Sequence, residues 1–347
     1  MSTRLILFIV GASLALTVAV ALAVDVEVGD ESQIRPVREI PPPPPLRGSE
    51  VPIRNLIASV RVGDPVHCDG FAVYPLLLDA PRLRTSMLTL DEALDRKLLE
   101  IREKGSGNVP TLTVTNRSRR YVFLMAGEMI LGGKQNRLLR QDVILPPGIR
   151  DMEIPVYCGQ QGRWSETSPT FESKSSIANL DVRKKVMAQK GQSEVWSGIS
   201  DNLAGNEVAD GSQSLQAAFE DKEVKRRIKR MTADCPLPKG KNVVGIAVMR
   251  YGRVLGADLF GEHGLLRKLY DKIIATYAVE IFDEPVKDWR NPDQRGEVER
   301  FLAQLADASM RPIPSPGAGQ AFILRSGGIE GGAIALGGEP VHAAALH

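Results

Sequence analysis

The sequence predicts an α+β fold, built mainly from antiparallel sheet with several amphipathic helices packed against it. Three observations predict this class. Between residues 111 and 158, β-rich runs such as TLTVTN and EIPVYC are separated by turn signals containing Gly, Pro, Asn or Asp. Two later stretches carry apolar residues at helical spacing. Residues 321–347 alternate short apolar runs with Gly-Gly pairs, as strands joined by tight turns do.

The first half of the body is predicted to be a strand meander interrupted by one helix. IASVRV and FAVYPLLLD have the short alternating pattern of strands. LTLDEALDRKLLEIREKG predicts an amphipathic helix, with Thr89 or Asp91 as its N-cap and Gly105 as its stop. YVFLMAGEMIL then reads as a single strand, and GGKQNR as the turn of a hairpin.

The second half predicts an insertion followed by a hairpin and a helix. Residues 165–215 are polar and Ser-rich, so we interpret them as a loop-rich insertion, a lid or a mobile segment, with a helix near NLDVRKKVMAQK. QSLQAAFEDKEVKRRIKRM predicts one further amphipathic helix. VVGIAVMRYGRVLGADLFG predicts a hairpin that turns at Arg250 to Arg253, and HGLLRKLYDKIIATYAVEIFD a helix with one apolar face.

The N-terminal segment predicts export. Residues 1–23 combine Arg4, an apolar run from Leu5 and a final A-x-A arrangement, which is typical of a cleaved signal peptide. The run is also long enough for an uncleaved membrane anchor, so a membrane tether through residues 5–23 stays open. Residues 24–50 contain five consecutive prolines and predict a stiff linker to a single domain over 51–347. The expected location is periplasmic, envelope or secreted.

Composition excludes several classes of protein. A formal net charge of +2 over 347 residues gives no overall basic excess, so we expect no nucleic-acid partner. Cys68, Cys158 and Cys235 allow one internal disulfide and one leftover thiol, and spacing does not select the pair. The four histidines are scattered and no Cys/His metal spacing occurs, so we expect neither a metal site nor a cofactor.

Two residues are candidates for acid/base chemistry. Glu128 interrupts the apolar run VFLMAGEMIL, where an ionised carboxylate requires a partner. We interpret it either as lining a cleft or as pairing with Lys134 or Arg137 across the Gly132-Gly133 turn. His342 interrupts the apolar run of the last predicted strand and has a suitable intrinsic pKa for general acid or base work.

A group of long amide and cationic side chains predicts a ligand-binding surface. Lysine and arginine match phosphate or carboxylate oxygens, and amides match sugar hydroxyls. A tryptophan next to an arginine offers a stacking face. The alternative is a polar hairpin tip with no ligand. The candidate ligand-binding residues are Lys134, Gln135, Asn136, Arg137, Gln161, Arg163 and Trp164.

The run GEMILGGKQNRLLRQDVILPPG, followed by IPVYCGQQGRW, resembles the ARG and rhodanese-phosphatase-superfamily-associated protein domain, a bacterial family of unknown function. The resemblance covers the chain from about Val51 to the C-terminus. It implies at most a link to ADP-ribose or related phosphorylated nucleotides. This sequence has Gln160 where similar sequences carry an acid. The positions that match the family's polar motifs are Glu128, Lys134, Gln135, Asn136, Arg137, Cys158, Gln161, Gly162, Arg163, Trp164 and His342.

These observations support two hypotheses of function, and a purely structural envelope protein is a third possibility. The first is an extracytoplasmic binding domain that recognises an anionic small molecule or a glycan through KQNR and QGRW. The second is a hydrolase or transferase acting on ADP-ribose-like or other phosphorylated nucleotides, with Glu128 or His342 as general acid/base. The first is favoured because the sequence contains many hydrogen-bond donors but shows no nucleophile, metal cage or pair of acids.

Overall fold

A computed structural model describes residues 48–105, 110–282 and 294–347. The predicted signal or anchor segment and most of the predicted Pro-rich linker lie outside these residues. Within them the fold is α+β with mainly antiparallel sheets, as predicted. None of the helices in these ranges is long and apolar enough to cross a bilayer.

The helices, in chain order, are α1 (Val51–Ser59), α2 (Leu90–Asp95), α3 (Leu180–Met187), α4 (Gln192–Gly205), α5 (Leu215–Glu220), α6 (Lys222–Asp234), α7 (His263–Val279) and α8 (Arg295–Ala306). The strands before the insertion are β1 (Arg61–Val62), β2 (Val66–Cys68), β3 (Phe71–Leu77), β4 (Met87–Thr89), β5 (Leu99–Glu103), β6 (Thr111–Asn116), β7 (Tyr121–Leu124), β8 (Met129–Gly132), β9 (Arg137–Leu139), β10 (Val143–Leu145) and β11 (Met152–Cys158). The later strands are β12 (Phe171–Glu172), β13 (Val243–Arg250), β14 (Arg253–Phe260), β15 (Ser309–Ile313), β16 (Gln320–Ser326), β17 (Ile329–Leu336) and β18 (Glu339–Leu346).

A nine-stranded antiparallel sheet forms the base of the described fold. Its main order is β1-β3-β13-β14-β18-β17-β16-β15, with β2 paired to β3. The predicted hairpin at Arg250 to Arg253 is confirmed, since β13 and β14 pair there. The predicted Gly-Gly turns join β16 to β17 and β17 to β18. Helices cover both faces of this sheet, which explains why every residue of β13 is buried.

Two smaller sheets carry the motif residues. One has the order β12-β8-β9-β11-β6-β5 and the other β10-β7-β4, in which β4 and β7 run parallel. A separate apolar cluster fills the space between these strands. Helices α3 to α6 pack against the outer side of β8, β9 and β11 through another apolar cluster. The segment predicted as a loop-rich insertion, 165–215, contributes β12, α3 and α4 as well as irregular chain.

The predicted helix over 88–105 is correct only in its first turns. Thr89, one of the two predicted N-caps, caps α2 and forms a full capping box with Glu92. The helix then ends, and Lys97 adopts a left-handed conformation with φ of 56°. Leu99 and Ile101 point into the core from β5, which pairs with β6. LEIRE satisfies strand alternation as well as helical spacing, and pairing across the sheet decides the outcome.

Three other element predictions need correction. IASVRV, predicted as a strand, supplies the end of α1 and the two residues of β1. The single strand predicted over 121–131 is two strands, β7 and β8, separated by a turn in which Gly127 has φ of +85°. The single helix predicted over 213–231 is broken at Asp221, whose side chain accepts hydrogen bonds from the backbone N–H groups of Glu223 and Val224 and caps α6.

A disulfide joins Cys68 on β2 to Cys235 at the end of α6. Its Cα atoms are 5.4 Å apart and its sequence separation is 167. Cys158 is free and buried. The bond therefore ties the edge of the large sheet to the helical layer and resolves the pairing that sequence spacing left open.

The disulfide fixes the thiol content of the protein. Unreduced, denatured protein should show a single reactive thiol, from Cys158, and reduction should expose the other two. Replacing both Cys68 and Cys235 by Ser should lower the free energy of unfolding by about 2–5 kcal/mol, because the crosslink restricts the unfolded chain. Urea titration with and without reductant measures this. Reductant should destabilise the wild type and leave the double variant unchanged, whereas three reactive thiols without reductant would contradict the pairing.

Candidate functional site

The KQNR segment is the tip of the β8–β9 hairpin. Met129 pairs with Leu138 and Ile130 with Arg137, so the predicted turn is confirmed. Gly132 and Gly133 precede it because the chain before β12 passes very close. A Cβ on Gly132 would lie 2.5 Å from the carbonyl oxygen of Thr170, and one on Gly133 would lie 2.5 Å from the Phe171 ring. Glycine is therefore required at both positions.

Arg163 joins the QGRW segment to this hairpin. Its Nη1 donates to the carbonyl oxygens of Gly133 at 2.9 Å and Ser165 at 2.8 Å, and to the Thr167 hydroxyl at 3.1 Å. Its Nη2 donates to the Gly132 carbonyl oxygen at 3.3 Å and to Asn136 Oδ1 at 3.2 Å. Its Nε donates to Gln160 Oε1 at 2.8 Å. The two motifs therefore face each other, and all the N–H groups of this guanidinium are engaged within the protein.

Asn136 and Gln160 extend this network to the segment before α5. Asn136 Nδ2 donates to the Ser214 hydroxyl at 3.1 Å, and Gln160 Nε2 donates to the Ser212 hydroxyl at 2.7 Å. The carboxylate of Asp210 in turn accepts hydrogen bonds from the Ser212 hydroxyl and the Ser214 backbone. Gln160, which replaces an acid expected from the family resemblance, is thus a structural amide that both donates and accepts.

Arg137 lies beneath this surface and is fully buried. Its Nη2 pairs with Glu103 at 3.2 Å, and its Nη1 donates to Gln135 Oε1 at 2.9 Å and to Cys158 Sγ at 3.3 Å. Burial raises the pKa of the Cys158 thiol, and the nearby Arg137 offsets this only in part. Cys158 is therefore a protonated thiol in the core and not an activated nucleophile.

Lys134, Gln161 and Trp164 lie nearer the surface. Lys134 Nζ is 5.4 Å from the centroid of the Trp164 ring, a cation–π contact. Trp164 is 51% exposed, which is unusual for so large an apolar side chain. Gln161 is exposed, and its carbonyl oxygen accepts a hydrogen bond of 3.5 Å from Gln135 Nε2. Of the predicted ligand-binding residues, Gln161 and Trp164 are exposed, whereas Lys134, Asn136 and Arg163 are half-buried.

A cavity of about 550 Å³ opens beside the two motifs. Its wall is mostly hydroxyl and amide groups, together with one arginine and three carboxylates. The carboxylates are Glu172, Asp210 and Glu220, and the arginine is the fully engaged Arg163. We refer to this space as the hydroxyl cavity. It is lined by Leu131, Gly132, Asn136, Gln160, Arg163, Thr167, Ser168, Thr170, Glu172, Asp210, Ser212, Ser214, Gln216, Ala217 and Glu220.

Glu128 is buried at a distance from this chemistry, in the turn between β7 and β8. Its Oε2 accepts from the backbone N–H of Met125 at 2.8 Å, and its Oε1 lies 2.6 Å from Lys272 Nζ. Lys272 on α7 also pairs with Asp91 at 2.7 Å. Burial by itself would lower the pKa of Lys272, but the two carboxylates outweigh it and raise that pKa. The predicted pairing of Glu128 with Lys134 or Arg137 is therefore wrong.

His342 on β18 is buried between two carboxylates. Its Nδ1 lies 2.7 Å from Asp142 Oδ2, and its Nε2 lies 3.2 Å from Asp258 Oδ1. Asp258 is paired in turn with the fully buried Arg183. Burial opposes charge on the imidazole, but Asp142 and Asp258 outweigh it and raise the pKa of His342 to about 9. The ring is therefore an imidazolium at neutral pH, and it stacks on Phe260.

The sequence predictions thus separate into two places. Asn136 and Arg163 line the hydroxyl cavity, while Glu128 and His342 belong to buried ion networks that do not line it. No cluster of three or more His, Cys, Asp or Glu residues placed to hold a metal occurs within the described ranges. The arrangement offers hydrogen bonding to a ligand at the cavity and charge pairing in the interior.

The chain matches the family model of the ARG and rhodanese-phosphatase-superfamily-associated protein domain over residues 59–346. It belongs to this family. The match covers most of the chain and confirms the resemblance carried by KQNR and QGRW. Searches of curated proteins and of solved structures find no match to it.

Several polar residues of the two networks and of the cavity are absent from the sequence predictions. Asp258 interrupts the apolar strand VLGADLF, and Lys272 lies on the apolar face of α7, among Leu269 and Ile273. A charged residue inside an apolar pattern is the signal that identifies Glu128, and the same signal identifies Asp258 and Lys272. Asp210 and Ser212 had no such signal, because they lie in irregular chain that only the tertiary fold brings to the cavity.

The raised pKa of His342 predicts that the free energy of unfolding depends on pH. Its folded-state pKa of about 9 lies above the ordinary value of 6.5, so the folded state holds the proton more tightly. Its stabilisation is complete below the ordinary pKa and is lost as the pH rises through about 9. The expected loss is on the order of 3 kcal/mol. Urea titrations across this range measure it.

The matching variants isolate the imidazole. His342→Gln should be less stable than the wild type at neutral pH and should lose the slope between the two pKa values. His67→Gln removes an exposed histidine and should keep the wild-type slope. An unchanged slope in His342→Gln would contradict the assignment of a buried imidazolium.

The contacts of Arg163 predict that this side chain stabilises the fold and that lysine does not replace it. Arg163→Lys keeps the charge but offers three donors in place of five, so it should lower the free energy of unfolding by about 2 kcal/mol. Chemical denaturation measures this, with Arg150→Lys as the matched control because Arg150 is exposed. Equal stability of the two variants would show that the Arg163 contacts contribute nothing to the stability of the fold. Arg163 would then again be a candidate ligand-binding residue.

Proposed function

We propose that this protein is an extracytoplasmic binding domain whose hydroxyl cavity takes a sugar-containing ligand. The observation that carries the proposal is the chemistry of the cavity wall, where neutral hydroxyl and amide groups alternate with carboxylates. Sugar hydroxyls both donate and accept, so they match such a wall. A volume of about 550 Å³ lies within the range of small-molecule sites.

The state of Arg163 favours the sugar over a small anion at this cavity. An anion needs unused N–H donors, and the six acceptors around Arg163 already occupy its guanidinium. The three carboxylates of the wall would also repel an anion held there.

Two observations support an extracytoplasmic location. The chain begins with the signal-like run from Leu5 to Ala23. The disulfide between Cys68 and Cys235 is of the kind that persists in oxidising compartments. Fractionation of cells expressing the full chain, followed by N-terminal sequencing of the product, tests the location and the cleavage after Ala23 together.

No observation in the described residues favours the hydrolase or transferase alternative. Glu128 and His342 are paired and buried, and the thiol of Cys158 is protonated. Incubation with ADP-ribose and with phosphoester substrates tests this alternative directly. Turnover that Glu128→Gln abolishes, in a variant that still folds, would replace the binding proposal with an enzymatic one.

The binding proposal predicts that filling the cavity weakens recognition. Thr170 is exposed and lines the hydroxyl cavity. Thr170→Trp should therefore weaken binding of an array-identified oligosaccharide by about tenfold or more, a loss of about 1.4 kcal/mol, while leaving the fold intact. Titration calorimetry measures the affinity. The control is Thr113→Trp, on β6 and outside this cavity.

The outcome that contradicts the proposal is specific. Binding of an oligosaccharide with equal affinity by the wild type, Thr170→Trp and Thr113→Trp would move the ligand away from the hydroxyl cavity. A folded wild-type protein that retains no member of an array of neutral and acidic glycans would remove the sugar ligand altogether.

A further inference from the structure

A second cavity shares a wall with the hydroxyl cavity. It has a volume of about 360 Å³, and both cavities are lined by Gln216 and Glu220 on α5. We refer to it as the lysine cavity, because three lysines line it, namely Lys174, Lys225 and Lys229. The floor is apolar, with Phe219, Ile228 and Ala275. Gln216 and Glu220 are four residues apart, so one face of α5 borders both spaces.

The charges of the two cavities are opposite. The hydroxyl cavity has three carboxylates and one arginine, whereas the lysine cavity has three lysines and one glutamate, Glu220. Lys174 pairs with Glu172 at 3.1 Å, so part of its charge is balanced. Lys225 and Lys229 are exposed and form no ion pair with an acid in the described part of the chain. The attraction for an anion is therefore concentrated on α6.

The spacing of these two lysines destabilises α6 when no anion lies beside them. Residues four apart lie on the same helix face, and two like charges there destabilise the helix. Lys225 and Lys229 have this spacing on α6. Elsewhere on the same helix, Arg226 pairs with Glu223, which shows that acids are available to neutralise bases where they are placed at i−3.

We infer that the ligand is an acidic glycan, whose sugar hydroxyls occupy the hydroxyl cavity while its carboxylate or phosphate group reaches Lys225 and Lys229. This inference rests on the proposed function and adds the ligand's charge and orientation. Sugar rings present C–H faces as well as hydroxyls, and these match the apolar floor beside the lysines. The acid is held by point charges at a partly open surface, so its contribution depends on ionic strength.

The test uses two matched pairs of probes. Trigalacturonate is compared with its methyl ester, and maltotriose 6-phosphate with maltotriose, so that carboxylate and phosphate are distinguished. Titration calorimetry on the full mature protein should show that the acidic member of a pair binds about three- to tenfold more tightly than the neutral one. High salt should reduce this ratio towards one.

The variant Lys225→Gln with Lys229→Gln should remove the preference for the acidic member and leave affinity for the neutral member unchanged. The matched control, Lys239→Gln with Lys241→Gln, removes the same charge from exposed positions outside both cavities and should keep the preference. Circular dichroism and thermal unfolding establish that both variants fold.

The outcomes separate the two proposals. Binding of neutral sugars without any preference for the acidic member, or a preference that survives in Lys225→Gln with Lys229→Gln, overturns the inference and leaves the sugar-binding function intact. Failure of the folded wild type to bind any of the four probes counts against the binding function itself and against the inference with it.

Discussion

A buried chain of charges joins the large sheet to the smaller ones and anchors the turn that leads to the KQNR hairpin. His342 and Asp258 belong to β18 and β14 of the large sheet, Arg183 belongs to α3, and Asp142 precedes β10 of a smaller sheet. Removing one member of such a chain would leave a neighbouring charge buried without compensation. The two acids and the two bases therefore specify how the layers meet.

The same chain determines where the KQNR hairpin starts. The second carboxylate oxygen of Asp142 accepts from the backbone N–H of Ala126 at 2.8 Å, which fixes the turn between β7 and β8. In the same turn, a Cβ on Gly127 would lie 3.1 Å from Arg183 Cγ. Glu128, the next residue, is held by Met125 and Lys272. The strand β8 leaves this turn and leads directly to the hairpin tip, so the buried charges and the cavity are linked through the backbone.

Sequence patterns predicted the elements in which local signals agree. The β13–β14 hairpin, α7 and the Gly-Gly turns of the last strands each combine a consistent apolar period with an unambiguous turn or cap. LEIRE failed because two periods fit it and only pairing with β6 selects one. YVFLMAGEMIL failed because the turn at Gly127 is enforced by residues distant in sequence. Consistency between local and long-range preferences, and not apolar content alone, separates the two groups.

The sequence indicated which two motifs meet, but not the role of each residue in them. KQNR and QGRW do meet. However, Arg137 pairs with Glu103, and Arg163 donates to Gln160 and to backbone carbonyl oxygens, so these donors are used within the protein. The sequence shows how many hydrogen-bond donors are present, but only the fold shows which of them lack a partner within the protein. The partner of Glu128 is 144 residues away, at Lys272, and no local spacing indicates it. His342 was singled out as an acid/base candidate because it interrupts an apolar strand, and the fold shows that its imidazole pairs with Asp142 and Asp258.

The break between α5 and α6 explains how one short segment serves two cavities of opposite charge. Asp221 ends α5 and caps α6, so the chain changes direction directly after Glu220. Before the break, Gln216 and Glu220 form the shared wall. After it, α6 presents Lys225 and Lys229 to the second space. A continuous helix would carry these lysines further along one axis, because each residue adds about 1.5 Å of rise. The capped break instead keeps acidic and basic groups on adjoining surfaces, which is the arrangement that the proposed acidic glycan requires.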